Sequence, residues 1–336
     1  MRITIAGLIC LCVAQVASAA ELPPPPVLAP APIPVQQPSR YLQQGLFFEF
    51  GARYWYSNGS LSKDLFAVGD VGLVSRLTYS GLTGHAAELF GSAKQIDGWF
   101  VNWNAGLGKI PTGTLTDEDF PPFLVPFSST TSNQGEGSLG YATFDLGYNF
   151  VNSNTWTVGL FGGFNFFRES VNALGCVQTA GNPGVCVPGI SGIGLTITER
   201  ADWWSARLGV SAEWIPFNRF KLSGNAAWVP FTRLEAIDTH LLRPELLGGV
   251  PESAHGSGVQ VEGIASYAFT DSFNIGVGVR YWYLQANGSV DFGAVVQNAL
   301  PQPVSFKTDR FGVFLQGSYT FGVPGRYRNS QWPSCC

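Results

Sequence analysis

Charge is scarce in this chain: Asp, Glu, Lys and Arg make up 12% of its 336 residues, about half the share typical of a soluble globular domain. Scarce charge beside 14% aromatics excludes intrinsic disorder, which needs the opposite balance. Beyond the first 20 residues no apolar run reaches the ~18 positions of a spanning helix. A formal net charge of −4 removes the electrostatic case for nucleic acid as a partner. Histidine occurs three times (His85, His240, His255), and no Gly-x-Ser-x-Gly occurs, so seryl catalysis has no support. An apolar, charge-poor chain without spanning helices points to an all-β fold, the transmembrane β-barrel.

The first residues read as a signal peptide (1–19): Arg2 supplies the positive region, Ile3 to Val16 the apolar one, and Ala17-Ser18-Ala19 the cleavage site. Cys10 and Cys12 fall inside it. Residues 20–44 form a proline-rich linker, expected as an extended periplasmic spacer. The barrel is expected over 45–321, and a C-terminal tail over 322–336 ends in Cys335 and Cys336, to which no role is assigned. Cys176 and Cys186 flank a Gly/Pro/Asn turn in an exported chain, a setting that favours a local disulfide.

Barrel strands alternate lipid-facing apolar residues with small or polar lumen-facing ones. In Tyr141 to Phe150 one face carries Ala142, Phe144, Leu146, Tyr148 and Phe150, the other Tyr141, Thr143, Asp145, Gly147 and Asn149. This period predicts ten strands: 45–57, 73–94, 99–109, 139–150, 156–171, 196–214, 219–234, 257–269, 273–286 and 305–321. Gly81 and Gly84 suggest a bulge in the second. Connections alternate between short turns and long loops, and such barrels keep short turns in the periplasm. All five long loops should therefore share the outer mouth. Arg53-Tyr54-Trp55-Tyr56 and Arg280-Tyr281-Trp282-Tyr283 would mark its aromatic girdle, and the Asn-Gly-Ser after each reads as turn chemistry.

Two motifs converge at that mouth. Asp117-Glu118-Asp119 lies in the loop after the third strand, and Asp238-Thr239-His240 opens the loop after the seventh. On extended backbone Asp238 can bond one ring nitrogen of His240, fixing its tautomer while the other nitrogen takes a proton. Asp117 and Asp119 could hold a water against it. The same acids, with Glu118, also suit Ca²⁺, whereas Zn²⁺ lacks nitrogen and sulfur ligands here. Most acidic triplets are merely solvated surface. His85, placed mid-strand, and His255, placed in a loop, read as inert.

At these residues the chain resembles the omptins, outer-membrane proteases built on a ten-stranded barrel. Asp117-Glu118-Asp119-Phe120 is similar to the family's Asp-x-Asp-aromatic motif, and Asp238-Thr239-His240 to its Asp-x-His. The resemblance implies a catalytic set of Asp117, Asp119, Asp238 and His240 with water as nucleophile, in a cleft facing the cell exterior. It implies no metal and no cofactor. Lipopolysaccharide is the implied partner and a candidate requirement for activity, bound on the outer wall by Arg168 and Arg200, which are similar to two of the family's basic residues. Extracellular peptides or proteins are the implied substrates of an expected monomer. Ala236 stands where dibasic-cutting omptins carry an acid, and the first outer loop offers Lys63-Asp64. The competing class is a non-enzymatic surface, adhesion or structural barrel, or a narrow pore.

Overall fold

The computed structural model describes residues 46–69, 72–95, 98–120, 125–153, 155–182 and 184–322. The expected signal peptide, the proline-rich linker, and Cys10, Cys12, Cys335 and Cys336 lie outside them. The strands are β1 (Leu46–Phe66), β2 (Leu73–Gln95), β3 (Trp99–Asp119), β4 (Ser128–Gln134), β5 (Gly137–Asn152) and β6 (Trp156–Gln178). They continue as β7 (Ile190–Phe217), β8 (Phe220–His240), β9 (Val250–Ala268), β10 (Phe273–Val290) and β11 (Gln302–Gly322). All pair antiparallel with their neighbours in one 11-stranded sheet; β1 meets both β2 and β11, and β2 also meets β3. Every strand is thus hydrogen-bonded on both sides, consistent with a β-barrel. No described helix is long and apolar enough to cross a membrane.

The count is eleven where the alternation predicted ten. The fourth expected strand, 139–150, became β5, and the new element is β4, separated from it by Gly135-Glu136 with Glu136 in the left-handed region at φ 55°. Both pieces lie between β3 and β6. The sequence of β4, SSTTSNQ, has no apolar face, so a lipid-facing criterion passes it over. For the same reason most strands run further than predicted on the long-loop side. Both Asn-Gly-Ser triplets lie inside strands β1 and β10 rather than in turns, and His255 lies within β9 rather than in a loop. The bulge near Gly81 is present, with register shifts between Ser80 and His85 and Gly81 at φ 62°.

These extensions divide the long strands into two stretches of opposite polarity. Near the short turns the exposed face is apolar, with Phe50, Leu89, Phe144, Leu160, Val277 and Leu315 all exposed. The covered face there carries charge: Arg53 and Arg280 bind Glu88 and Glu262 at 2.6–3.3 Å, and Tyr141 donates to Glu88 at 2.7 Å. Nearer the long loops the order inverts. Leu61, Leu77, Tyr79, Leu115, Leu234 and Phe306 are buried together on the covered face, while Asn58, Ser60 and Ser62 alternate outward with them. Contacts between β1 and β9, and between β2 and β10, show how tightly the sheet curls around this interior.

Candidate functional site

The long connections all leave from one end of the sheet, and the extended strands carry the singled-out acids up to that end. Asp117 and Asp119 are the last inward positions of β3, on the face of buried Leu115; Glu118 alternates to the other face, opposite Arg76. Asp238 and His240 are the last inward positions of β8. Both motifs therefore sit on strand ends rather than in loops, where hydrogen-bonded neighbours hold their spacing. The outward turn of Glu118 takes it away from Asp117, Asp119 and Asp238, so the four acids do not form one oxygen-ligand set.

His240 Nε2 lies 3.1 Å from Asp238 Oδ2. On the same oxygen, at 2.7 Å, sits the ammonium of Lys63 from β1, which also bonds Glu199 of β7 and Glu252 of β9 at 2.8 Å each. All four of these groups are buried. Among the described residues, Glu199, Asp238 and Glu252 are a trio offering one carboxylate oxygen each within 4.8 Å of one another. A metal ion would suit such a trio, but Lys63 already stands at its centre as the counter-charge. The ring of Phe306 lies 5.9 Å from the ammonium.

The electrostatics follow from this packing. Burial alone would neutralise Asp238, yet Lys63 and then His240 hold its carboxyl well below the usual carboxylate range. Burial likewise opposes the charged imidazole of His240, but Asp238 and its hydrogen bond outweigh it and raise the pKa. Lys63 is held far into its charged form by Asp238, Glu199 and Glu252 against the cost of burial. One ammonium balances only one of the three buried carboxylates, leaving two negative charges to be met by protons or by His240. Burial and the neighbouring Glu199 push Glu252 well up, and burial also raises Glu199, opposed by Lys63. Across the mouth, burial and then Asp119 push Asp117 up to about 6, opposed by His240 and Arg243. Asp117 and His240 thus feel each other across the interior.

The remaining singled-out residues fall elsewhere. Arg168 is exposed on the outer wall and forks onto Asp202, its register partner on β7, with both contacts at 2.6 Å. Arg200, also exposed, lies two positions from Asp202 on the same face. Cys176 and Cys186 form a disulfide. His85 packs outside the sheet between Tyr54 and Tyr56, accepting from or donating to the Tyr54 hydroxyl at 2.6 Å, and His255 stacks near Phe231. Ala236 is buried on the inner face beside this cluster. Glu199 and Glu252 were missed by sequence reasoning. Extending the inward parity of the strands to the loop ends would have found them, although nothing local marks them as partners of Lys63.

Comparison with known proteins sharpens the fold. The outer membrane protease OmpT from Escherichia coli matches with a TM-score of 0.64 at 16% identity, over 82% of this chain and 97% of that one. The two chains share a fold. The outer membrane protein OprG from Pseudomonas aeruginosa aligns at TM-score 0.33 and 11% identity, over 83% of this chain and 96% of that one. The translocator domain of the autotransporter NalP from Neisseria meningitidis reaches 0.34 at 9% identity, over 81% and 88%. No protein-family model matches the chain, and no curated protein matches it either.

Proposed function

We propose that the chain is an omptin-like endopeptidase of the outer membrane: a closed cylinder of ten staves, with β4 and β5 as one broken stave and a hydrolytic cleft at the outward mouth. The observation that carries the reading is the pairing of His240 with Asp238 at 3.1 Å on β8, in electrostatic reach of Asp117 on β3. An ionised Asp238 only accepts, so Nε2 of His240 carries the proton and Nδ1 is left as the base. Water held by Asp117 and Asp119 would give its proton to Nδ1 as its oxygen attacks a peptide carbonyl. The imidazolium, stabilised by Asp238, would then return that proton to the departing amine. No covalent enzyme intermediate is needed.

The membrane setting rests on the belt of exposed apolar residues near the short turns, which only a lipid phase would cover at low cost. Lipopolysaccharide is proposed at Arg168 and Arg200, where a phosphate would compete with Asp202 for the Arg168 fork. With Ala236 and the cation Lys63 beside the dyad, a preference for basic residues at the cleavage site is not expected. The test is incubation of the refolded full chain with a mixed peptide library and lipopolysaccharide, read by mass spectrometry. Cleavage lost in His240→Ala supports the reading; equal cleavage by both proteins, or by neither, overturns it.

A second reading is a non-enzymatic barrel, favoured by the Lys63 ammonium that competes with His240 for Asp238 Oδ2. A pore is the least supported form of it. Arg53, Arg280, Glu88 and Glu262, ringed by Trp55, Tyr141 and Trp282, close the interior below the site.

A further inference from the structure

A buried lysine with three carboxylate partners is an unusual expense inside an apolar interior, since each charge removed from water costs several kcal/mol on its own. The cluster could have been replaced by packed apolar residues such as the neighbouring Leu61, Phe306 and Ala254. Its geometry is directed instead. The ammonium reaches from β1 to three strands on the far side, and the oxygen it approaches most closely, Asp238 Oδ2 at 2.7 Å, is the one that bonds His240. Glu199 and Glu252 hold the same ammonium at 2.8 Å each. Glu199 Oε1, Asp238 Oδ1 and Glu252 Oε2 are buried without a partner atom, so this arrangement is tuned by where its protons sit rather than by completed hydrogen bonds.

We propose that Lys63 is a positioning residue of the hydrolytic site: its ammonium, wedged among Glu199, Asp238 and Glu252, keeps the Asp238 carboxylate ionised and oriented beneath His240. The proposal rests on the hydrolytic reading for its role in turnover, but not for its effect on His240. Without the ammonium, three buried acids would face one another. A proton taken up by Asp238 would turn a charge-assisted hold on Nε2 into a weaker neutral one and loosen the imidazole. The groups facing this cluster are Tyr79 on β2, Asp117 on β3 and His240 on β8.

The chain has only three histidines, so each can be followed by imidazole NMR in the full refolded chain with lipopolysaccharide, with His240 identified by loss of its signal in His240→Asn. Lys63→Met removes the charge at similar length. The expected result is a fall in His240 proton affinity of about tenfold, with peptide-library turnover down about 100-fold. A rise would mean that Lys63 acts only by repelling the imidazolium, and it would overturn the proposal, as would no change. Lys63→Met/Glu252→Gln removes one acid along with the cation and keeps the test open should the single variant fail to fold. The proposal expects both losses to persist there; recovered turnover with an unshifted His240 shows a merely structural lysine. If the parent chain cleaves nothing, the hydrolytic reading falls, while the NMR shift alone still decides whether Lys63 holds Asp238.

Discussion

The buried charges of this interior are built to different rules at its two ends. Near the short turns, Arg53 and Arg280 face Glu88 and Glu262, two cations for two acids, with Tyr141 donating to Glu88 and aromatic rings covering Arg280. Above it, Arg310 pairs with Glu169 and is held by Ser57 and the Leu82 carbonyl. Nearest the mouth, one ammonium serves three acids, and three of their oxygens lack partners. Matched charges with bidentate geometry make a plug whose protons have no reason to move. A cluster short of cations leaves protons shared and responsive, which is what an acid–base site needs.

That contrast can be broken in several ways. The largest expected effect is on turnover: His240→Ala should lower peptide cleavage by about 10³-fold, within the range of general-base loss, while leaving urea resistance intact. Arg280→Met should do the reverse. It leaves Glu88 and Glu262 short of a partner and should cost about 3–5 kcal/mol of stability, read as a lower unfolding midpoint, with any dyad activity preserved in the folded fraction. Equal effects of both variants on both readouts would erase the distinction between plug and site.

The pH profile should sharpen it further. Asp117 protonates as pH falls through about 6, and His240, with its pKa raised, loses its base form in the same direction. Turnover should therefore fall on the acid side. Asp117→Asn should lower the rate and remove the Asp117 contribution to that limb, leaving the one set by His240. For stability the sign is opposite for Asp117. Its folded form holds the proton more tightly than the unfolded chain, so its contribution is complete below about 4 and is lost as pH rises through about 6. The smallest expected effect is on the outer wall. Arg168→Ala breaks an exposed ion pair and should change stability by under about 1 kcal/mol, yet it should weaken any dependence of turnover on lipopolysaccharide. Planar-bilayer recordings of the full chain should show no steady openings if the plug is closed.

Much of this was legible because a lipid-facing strand has a severe pattern. The tetrapeptide Arg-Tyr-Trp-Tyr shows both its reach and its limit. It occurs in β1 and β10, and in both the tyrosines face out, as a girdle requires. The arginines and tryptophans of the same tetrapeptides alternate inward, where Trp55 meets Trp282 at 5.3 Å and Arg280 lies over both rings. Parity predicts the face; it does not predict that the two inward halves meet. Likewise Asp238 and His240 were separable as a dyad because two residues on a strand share a side. Lys63 was visible only as half of a charged pair in a supposed loop. The polar strand extensions hid its inward position, since above the belt the exposed face is no longer apolar and the signal inverts.

The sequence by itself determined the class of fold, the location of the short turns, the sharing of one mouth by the acidic motifs, and the pairing of Asp238 with His240. All of these follow from the period-2 geometry of a strand and from chain direction, which are local. Only the tertiary structure decided that the strands run on past the belt, that β4 is a separate piece, and that Lys63 stands among Glu199, Asp238 and Glu252. Those contacts join residues more than 100 positions apart, and no local pattern encodes which inward side chains face one another once the sheet has curled.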